Sequence, residues 1–312
     1  MAPSMHNAQP WRFIHRTGIR SVALYGDPDR TLPYGDVEHR ALHLGCGAAL
    51  LVPAAHAGWT ATVGLLPDPG TPWHLADAAL DEAEAEAEDA DRDLADLHRA
   101  VRPRHTSRFP FSDEQIPEPI FDGLRSAALL EGCRLITPPS AWHADAVMEL
   151  VHDAELLEAA NEAERAEIAT WTRTGRAGEG PAADGIPADA LDPWQYGVSS
   201  PVRDFDPSRR MPDRAAAVFE EHPQIALLGT MQDTPADWLR AGQTMQRVLL
   251  QATLSGLATS LMSQPLEWPE LRSSARDPNS AIGFVHMVFR LGYGPQGAAT
   301  PRRPVTEVLS FE

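Results

Sequence analysis

The chain has 312 residues, 43% of them apolar, enough for one large domain or two of about 150 residues. A formal charge of −18 sets it against nucleic acid and anionic membranes as partners. All 26 fixed cations are arginine, which excludes Schiff-base lysine chemistry and a lysine-dependent phosphate loop and leaves the guanidinium as the only fixed cation for a phosphate.

Residues 11–15 and 21–25 read as short strands around the Gly18 turn. A helical pattern runs from 36 to 56, with Leu42, Cys46, Ala49 and Leu50 at helical spacing and Pro53 in its last turn; Gly58 ends it. Residues 60–66 and 73–80 read as strands. An acidic helix over 82–101 follows, with Leu94 and Leu97 on its apolar stripe, and much of the net charge lies in residues 81–93 as a solvated face.

Residues 102–112 turn basic and mark a boundary. Beyond it the pattern gives a helix over 117–130, a strand over 134–137 and one long helix over 141–174. Residues 175–212 are rich in Gly and Pro without periodicity, the composition of a lid or a disordered insertion. A strand over 225–229, a strongly periodic helix over 234–258 and a strand-turn over 259–267 come next. A helix over 268–276, a strand over 283–291 and an extended tail over 302–311 complete the chain. Cys46 and Cys133 lack metal-ligand spacing and read as buried thiols. No run of 18 apolar residues and no basic-then-apolar leader occur, so no membrane is expected and the cytoplasm is the expected compartment.

A weak internal repeat is visible. Residues 42–57 form a helical run followed by Gly58 and a strand from Thr60; residues 245–255 do the same before Gly256 and a strand from Thr259.

Four segments carry chemistry. The opening Pro3-Ser4-Met5-His6-Asn7-Ala8-Gln9-Pro10-Trp11 offers a hydroxyl and two amides on Ser4, Asn7 and Gln9. Arg104-His105-Thr106-Ser107-Arg108 gathers two guanidiniums and hydroxyls, a combination that suits a phosphate dianion. Gly256-Leu257-Ala258-Thr259 leads into Ser263-Gln264-Pro265-Leu266-Glu267, and Thr300-Pro301-Arg302-Arg303-Pro304 closes the chain. Taken singly, each has an ordinary structural reading: a strand-entry turn, a solvated basic loop, a turn before a helix, a charged tail.

Taken together they resemble the FMN-dependent nitroreductase family. Gly242 to Leu250, with Trp238-Leu239-Arg240 before it and Leu291-Gly292-Tyr293-Gly294 later, is similar to the Acg-like branch, in which two nitroreductase-like halves are fused. The resemblance implies an α+β fold in which each half is a central, mostly antiparallel sheet with helices, the two forming a pseudo-dimer. Residues 1–101 would be a reduced first half without its phosphate clamp. Residues 102–312 would carry the FMN clamps and the lid candidate 175–212.

The same resemblance implies roles. Ser4, Asn7 and Gln9 would contact the flavin; Arg104 and Thr106 the phosphate; and Arg108 the pyrimidine side of the ring. The backbone of Gln264, Pro265, Leu266 and Glu267 would face the reactive edge, with Arg302 and Arg303 in a C-terminal clamp. Trp268 stands where glycine is usual, and Thr300 where lysine is common. Because the first half supplies the loop and the second both clamps, one FMN per chain is expected, in a monomer with an internal pseudo-dimer or in a homodimer. The implied function passes hydride from NAD(P)H to the flavin and electrons on to a nitroaromatic or quinone-like acceptor. The alternative is an FMN-sequestering protein, its flavin occluded by Trp194, Tyr196 and Phe205. Small molecules are the expected partners. No catalytic side chain or metal site is called for, since the cofactor carries the redox chemistry; His6, His15, His39 and His56 read as surface or packed residues.

Overall fold

A computed structural model describes residues 2–54, 59–82, 96–178, 182–191, 193–195, 202–207, 210–211, 214–276, 280 and 282–312. Strands β1 (Trp11–Arg16) and β2 (Ser21–Gly26) form a hairpin, helix α1 (Arg40–Ala54) follows, and β3 (Trp59–Leu65) and β4 (His74–Glu82) complete a first antiparallel set. A helical stretch at 96–101 packs Leu97, Ala100 and Val101 against Leu250. The expected acidic helix otherwise falls on 83–95, outside the described residues, and Glu82 ends a strand instead.

The second set begins with α2 (Glu118–Leu130) and β5 (Arg134–Ile136), followed by α3 (Ala141–Ala160) and α4 (Glu162–Trp171). A two-stranded ribbon joins β6 (Trp194–Gln195) to β7 (Ala216–Ala217). Then come β8 (Gln224–Thr230), α5 (Pro235–Leu254), β9 (Ala258–Met262), the short helices α6 (Gln264–Glu267) and α7 (Pro269–Arg272), and β10 (Phe284–Gly292). The tail forms a helical turn, α8 (Val305–Val308), before strand β11 (Leu309–Phe311), so it is only partly extended.

Local chemistry explains where the helices begin and break. The helical pattern reaches back to Asp36, but α1 starts at Arg40, because the Asp36 carboxylate accepts from the backbone N–H of Ala41 and Leu42, both at 2.8 Å. Helix α5 opens on a capping box: Thr234 accepts from the Asp237 N–H, and Asp237 accepts from the Thr234 N–H. The expected single helix over 141–174 is two. Asn161 leaves the helical region at φ −93°, ψ 103°, and its side chain accepts from Ala163 and Glu164, ending one helix while capping the next.

The two strand sets have the same topology. In the first, β1-β2-β4-β3 are neighbours with α1 between the second and third strands in sequence; in the second, β5-β8-β10-β9 repeat that order around α5. All six of these pairings are antiparallel. One further strand breaks the equivalence: β11 lies parallel to β1, with Phe13 opposite Leu309, so the tail that follows the second sheet completes the first.

One hydrophobic core cluster spans both sheets, from Leu24, Leu42 and Leu75 to Leu239, Met245 and Phe289. Its centre is the crossing of α1 and α5, where two glycines meet the facing backbone reciprocally. A Cβ on Gly47 would lie 2.1 Å from the Leu239 carbonyl oxygen, and one on Gly242 would lie 2.2 Å from that of Leu44. Only glycine permits so close an approach.

Candidate functional site

The opening loop is held in an unfavourable backbone conformation. His6, Asn7 and Gln9 have φ of 51°, 55° and 53°, a region that costs L-residues on the order of 1–3 kcal/mol each. Side-chain hydrogen bonds compensate. The Asn7 amide donates to the carbonyls of Gly185 (2.9 Å) and Pro301 (3.1 Å), and its oxygen accepts from Arg302 at 3.1 Å. Gln9 donates to Ala183 O at 2.8 Å and accepts from the Arg303 N–H at 2.9 Å. Ser4 Oγ accepts from the Gln9 N–H at 2.9 Å. Asn7 and Gln9 thus tie the loop to residues 182–185 and to the C-terminal tail.

The two expected clamps meet. Residues 104–108 follow the 96–101 helix and lie along β9: the Ser107 N–H donates to Thr259 O at 2.8 Å, and Thr106 bridges Thr259. Gly297 lets the later chain press against this segment, since a Cβ there would lie 1.9 Å from Thr106 O. Arg104 is 2% exposed. Burial, and after it the charge of Arg302, lower its pKa to about 9. Burial lowers Arg302 to about 10. Arg302 donates to Asn7, Thr300, Pro301 and Ala2, but it makes no ion pair among the described residues, and its buried Nε has no hydrogen-bond partner among them. Arg104 and Arg302 are thus two buried cations close enough for the charge of one to lower the pKa of the other. Arg303 turns away: it donates to Gln9 O and lies 3.7 Å from Asp27 and 3.5 Å from Glu307, pinning the tail to the first sheet.

A cavity of about 400 Å³ opens between the opening loop and the start of α1 on one side and β9, β10 and the α6–α7 turn on the other. Ser4, Thr106, Arg108, Gln264, Leu266 and Glu267 belong to its wall, and Leu44, Met245, Leu261 and Met287 make part of the wall apolar. Asn7, Gln9, Arg104, Pro265, Arg302 and Arg303 do not line it. Gln264 is 2% exposed, and its Nε2 has no acceptor among the described residues.

The segment expected as a lid contributes Val202, Arg203 and Phe205 to the wall. Phe205 packs edge-on against His6, ring centroids 5.7 Å apart, and under the Arg108 guanidinium at 4.9 Å. Trp194 lies off the wall, stacked with Arg214 at 4.0 Å, and Tyr196 is outside the described residues. Arg203 is the electrostatic centre of this side. It donates to Glu267 at 2.6 Å, lies 3.2 Å from Glu158 and contacts His6 Nε2 at 3.0 Å. Oxygens of Glu158, Glu164 and Glu267 lie within 4.8 Å of one another, with Arg203 compensating them. Burial, then the charge of Glu267, push Glu164 up to about 7. Burial pushes His6 well below its usual value, with Arg203 and Arg108 adding to the effect.

Several wall residues were not legible in the sequence. His6, expected as a surface or packed residue, is buried and lines the cavity. Arg203, Arg40, Arg272 and His286 reach the wall from four separate segments, and no local spacing announces their meeting. The one available signal for His6 is its place inside the opening motif.

The sequence profile of the nitroreductase family matches residues 101–281. Over 99% of its length the chain is 32% identical to acg of Mycobacterium tuberculosis, spanning 92% of that protein, and 31% identical to Rv3131 of the same organism, spanning 88% of it. Both relatives carry names that offer them as proposed NAD(P)H nitroreductases. The chain belongs to the nitroreductase family. Among solved structures it is similar to the FMN-dependent nitroreductase NfnB from Mycobacterium smegmatis in complex with NADPH, at 15% identity and a TM-score of 0.42 over 70% of this chain and 99% of that one. A nitroreductase with bound FMN from Bacteroides fragilis matches at 13% identity and a TM-score of 0.39 over 67% and 94% of the respective chains. No described helix is long and apolar enough to cross a membrane.

Proposed function

We propose that the cavity is the FMN and substrate site of an NAD(P)H-dependent oxidoreductase of nitroreductase type, with one FMN per chain. The observation that carries this reading is the convergence of Ser4, Thr106, Arg108 and Gln264 on one cavity. The donor set suits the cofactor: guanidiniums for a phosphate, hydroxyls and an unsatisfied buried amide for a polar ring edge, and apolar walls for an aromatic ring. Arg104 and Arg302 would hold the phosphate, Ser4 and Thr106 supply hydroxyls, and Gln264 donate from its amide. Arg108 would place a cation where negative charge develops. When bound, FMN would supply two-electron chemistry between a reduced nicotinamide and a nitroaromatic or quinone-like acceptor.

The chain's own part is positioning and exclusion of water. Asn7 would orient Arg302 from the opposite half, and Phe205, held between His6 and Arg108, would shield the cavity from solvent. We further infer that the two strand sets are fused halves of a pseudo-dimer, bounded near residues 101 and 102. The repeated strand order and the reciprocal Gly47 and Gly242 contact support this.

Anaerobic addition of NADPH, and separately NADH, to the FMN-loaded protein tests the activity. Bleaching of the flavin band, reversed by a nitroaromatic or quinone, is the expected result. The placement of Val202, Arg203 and Phe205 on the wall favours a second reading, flavin sequestration. An unchanged band with either nucleotide selects it.

A further inference from the structure

We propose that the end of the cavity walled by Arg40 and Arg272 is a subsite for an oxyanion on the second ligand: a carboxylate on an aromatic acceptor or the 2′-phosphate of NADPH. It rests on the proposed flavin site sharing the same cavity. Arg40 is 5% exposed at the start of α1, and Arg272 closes α7. Both belong to the wall. Arg40 Nη2 donates to Asp233 Oδ1 at 2.9 Å and to His286 Nδ1 at 3.0 Å. Arg272 Nη1 lies 3.9 Å from the other oxygen of Asp233 and donates to Glu38 at 2.8 Å. Two guanidiniums therefore share one carboxylate, while the side chain of the second, Glu38, is 53% exposed and competes with water. Asp36 is on the same wall, but it spends its oxygens on the backbone of α1. Burial, and after it the charge of Arg272, lower the pKa of Arg40.

The unsatisfied atoms of the wall all have one sense. A guanidinium can only donate, so Arg203 fixes His6 Nε2 as an acceptor and leaves the proton of the neutral ring on Nδ1. By the same logic Arg40 fixes His286 Nδ1 as an acceptor, and the Nε2–H of His286 faces Thr230 Oγ1 at 2.6 Å. His6 Nδ1, Arg40 Nε and Gln264 Nε2 belong to wall residues, and these buried atoms have no acceptors among the described residues. No side-chain oxygen of the described wall is left in that state.

Calorimetric titration of the FMN-loaded protein with 4-nitrobenzoate against its methyl ester, and with NADPH against NADH, tests the subsite. The wild-type protein should prefer the anion of at least one pair by about tenfold or more, the range of hydrogen bonds to charged groups. Arg40→Met and Arg272→Met should each bring that preference towards one while FMN affinity stays the same. Collapse in the nitrobenzoate pair assigns the carboxylate, and collapse in the nucleotide pair assigns the phosphate. No preference in the wild type, or a preference that both variants keep, overturns the proposal. Arg40 is buried, so Arg272→Met carries the test if Arg40→Met does not fold. Failure to take up FMN would defeat the flavin reading alone. Benzoate against benzamide on the flavin-free chain would then decide the oxyanion subsite by the same ratio.

Discussion

Arg104 and Arg302 show how single side chains acquire function from their surroundings. On a surface either would be a solvated cation. Both are buried, with their pKa values lowered to about 9 and about 10, and in the proposed site they would hold the phosphate. Arg104→Ala should weaken FMN binding by about 1.5–3 kcal/mol, the value of a charge-assisted hydrogen bond. Asn7→Ala should weaken it as well, because Asn7 accepts from Arg302 across the two strand sets. Flavin fluorescence titration reads both; an unchanged affinity in either variant removes that residue from the site. At this scale the motifs single out Ser4, Thr106, Arg108 and Gln264, which the fold brings to one cavity wall. They do not reveal Arg203 or Arg40. Arg203 is made a wall residue by Glu267, 64 positions away, and Arg40 by His286, 246 positions away.

At the scale of elements, the crossing of α1 and α5 joins the two sheets. Gly47→Ala places a methyl group against the Leu239 carbonyl and should cost about 1–3 kcal/mol, the usual penalty for overpacking. Denaturant unfolding measures it; an unchanged midpoint would mean that the helices do not meet as described. Hydrophobic period makes both helices legible. Their limits are less so, because capping decides them. Asp36 continues the helical pattern yet acts from outside as a cap, and Asn161 breaks a continuous run by bonding two backbone N–H groups of the next helix. The extended end of the tail is legible, but its pairing as strand β11 is not. That strand exists because β1 offers it an edge.

In the whole molecule, the repeated order β1-β2-β4-β3 and β5-β8-β10-β9 gives physical content to a sequence repeat that is faint in identity. Strand order is set by which edges can pair and where the helix packs, and many sequences satisfy both conditions. The proposed halves would be unequal in chemistry: the first would contribute the strained opening loop, and the second residues 104–108, the α6 turn and the tail. Ser4 and His6 of the loop, Thr106, Arg108 and the α6 turn share one cavity, and the central claim is that this cavity holds one flavin. Calorimetric titration of the flavin-free protein with FMN tests it most directly. One equivalent bound per chain is the predicted result; two equivalents, or none, would contradict it.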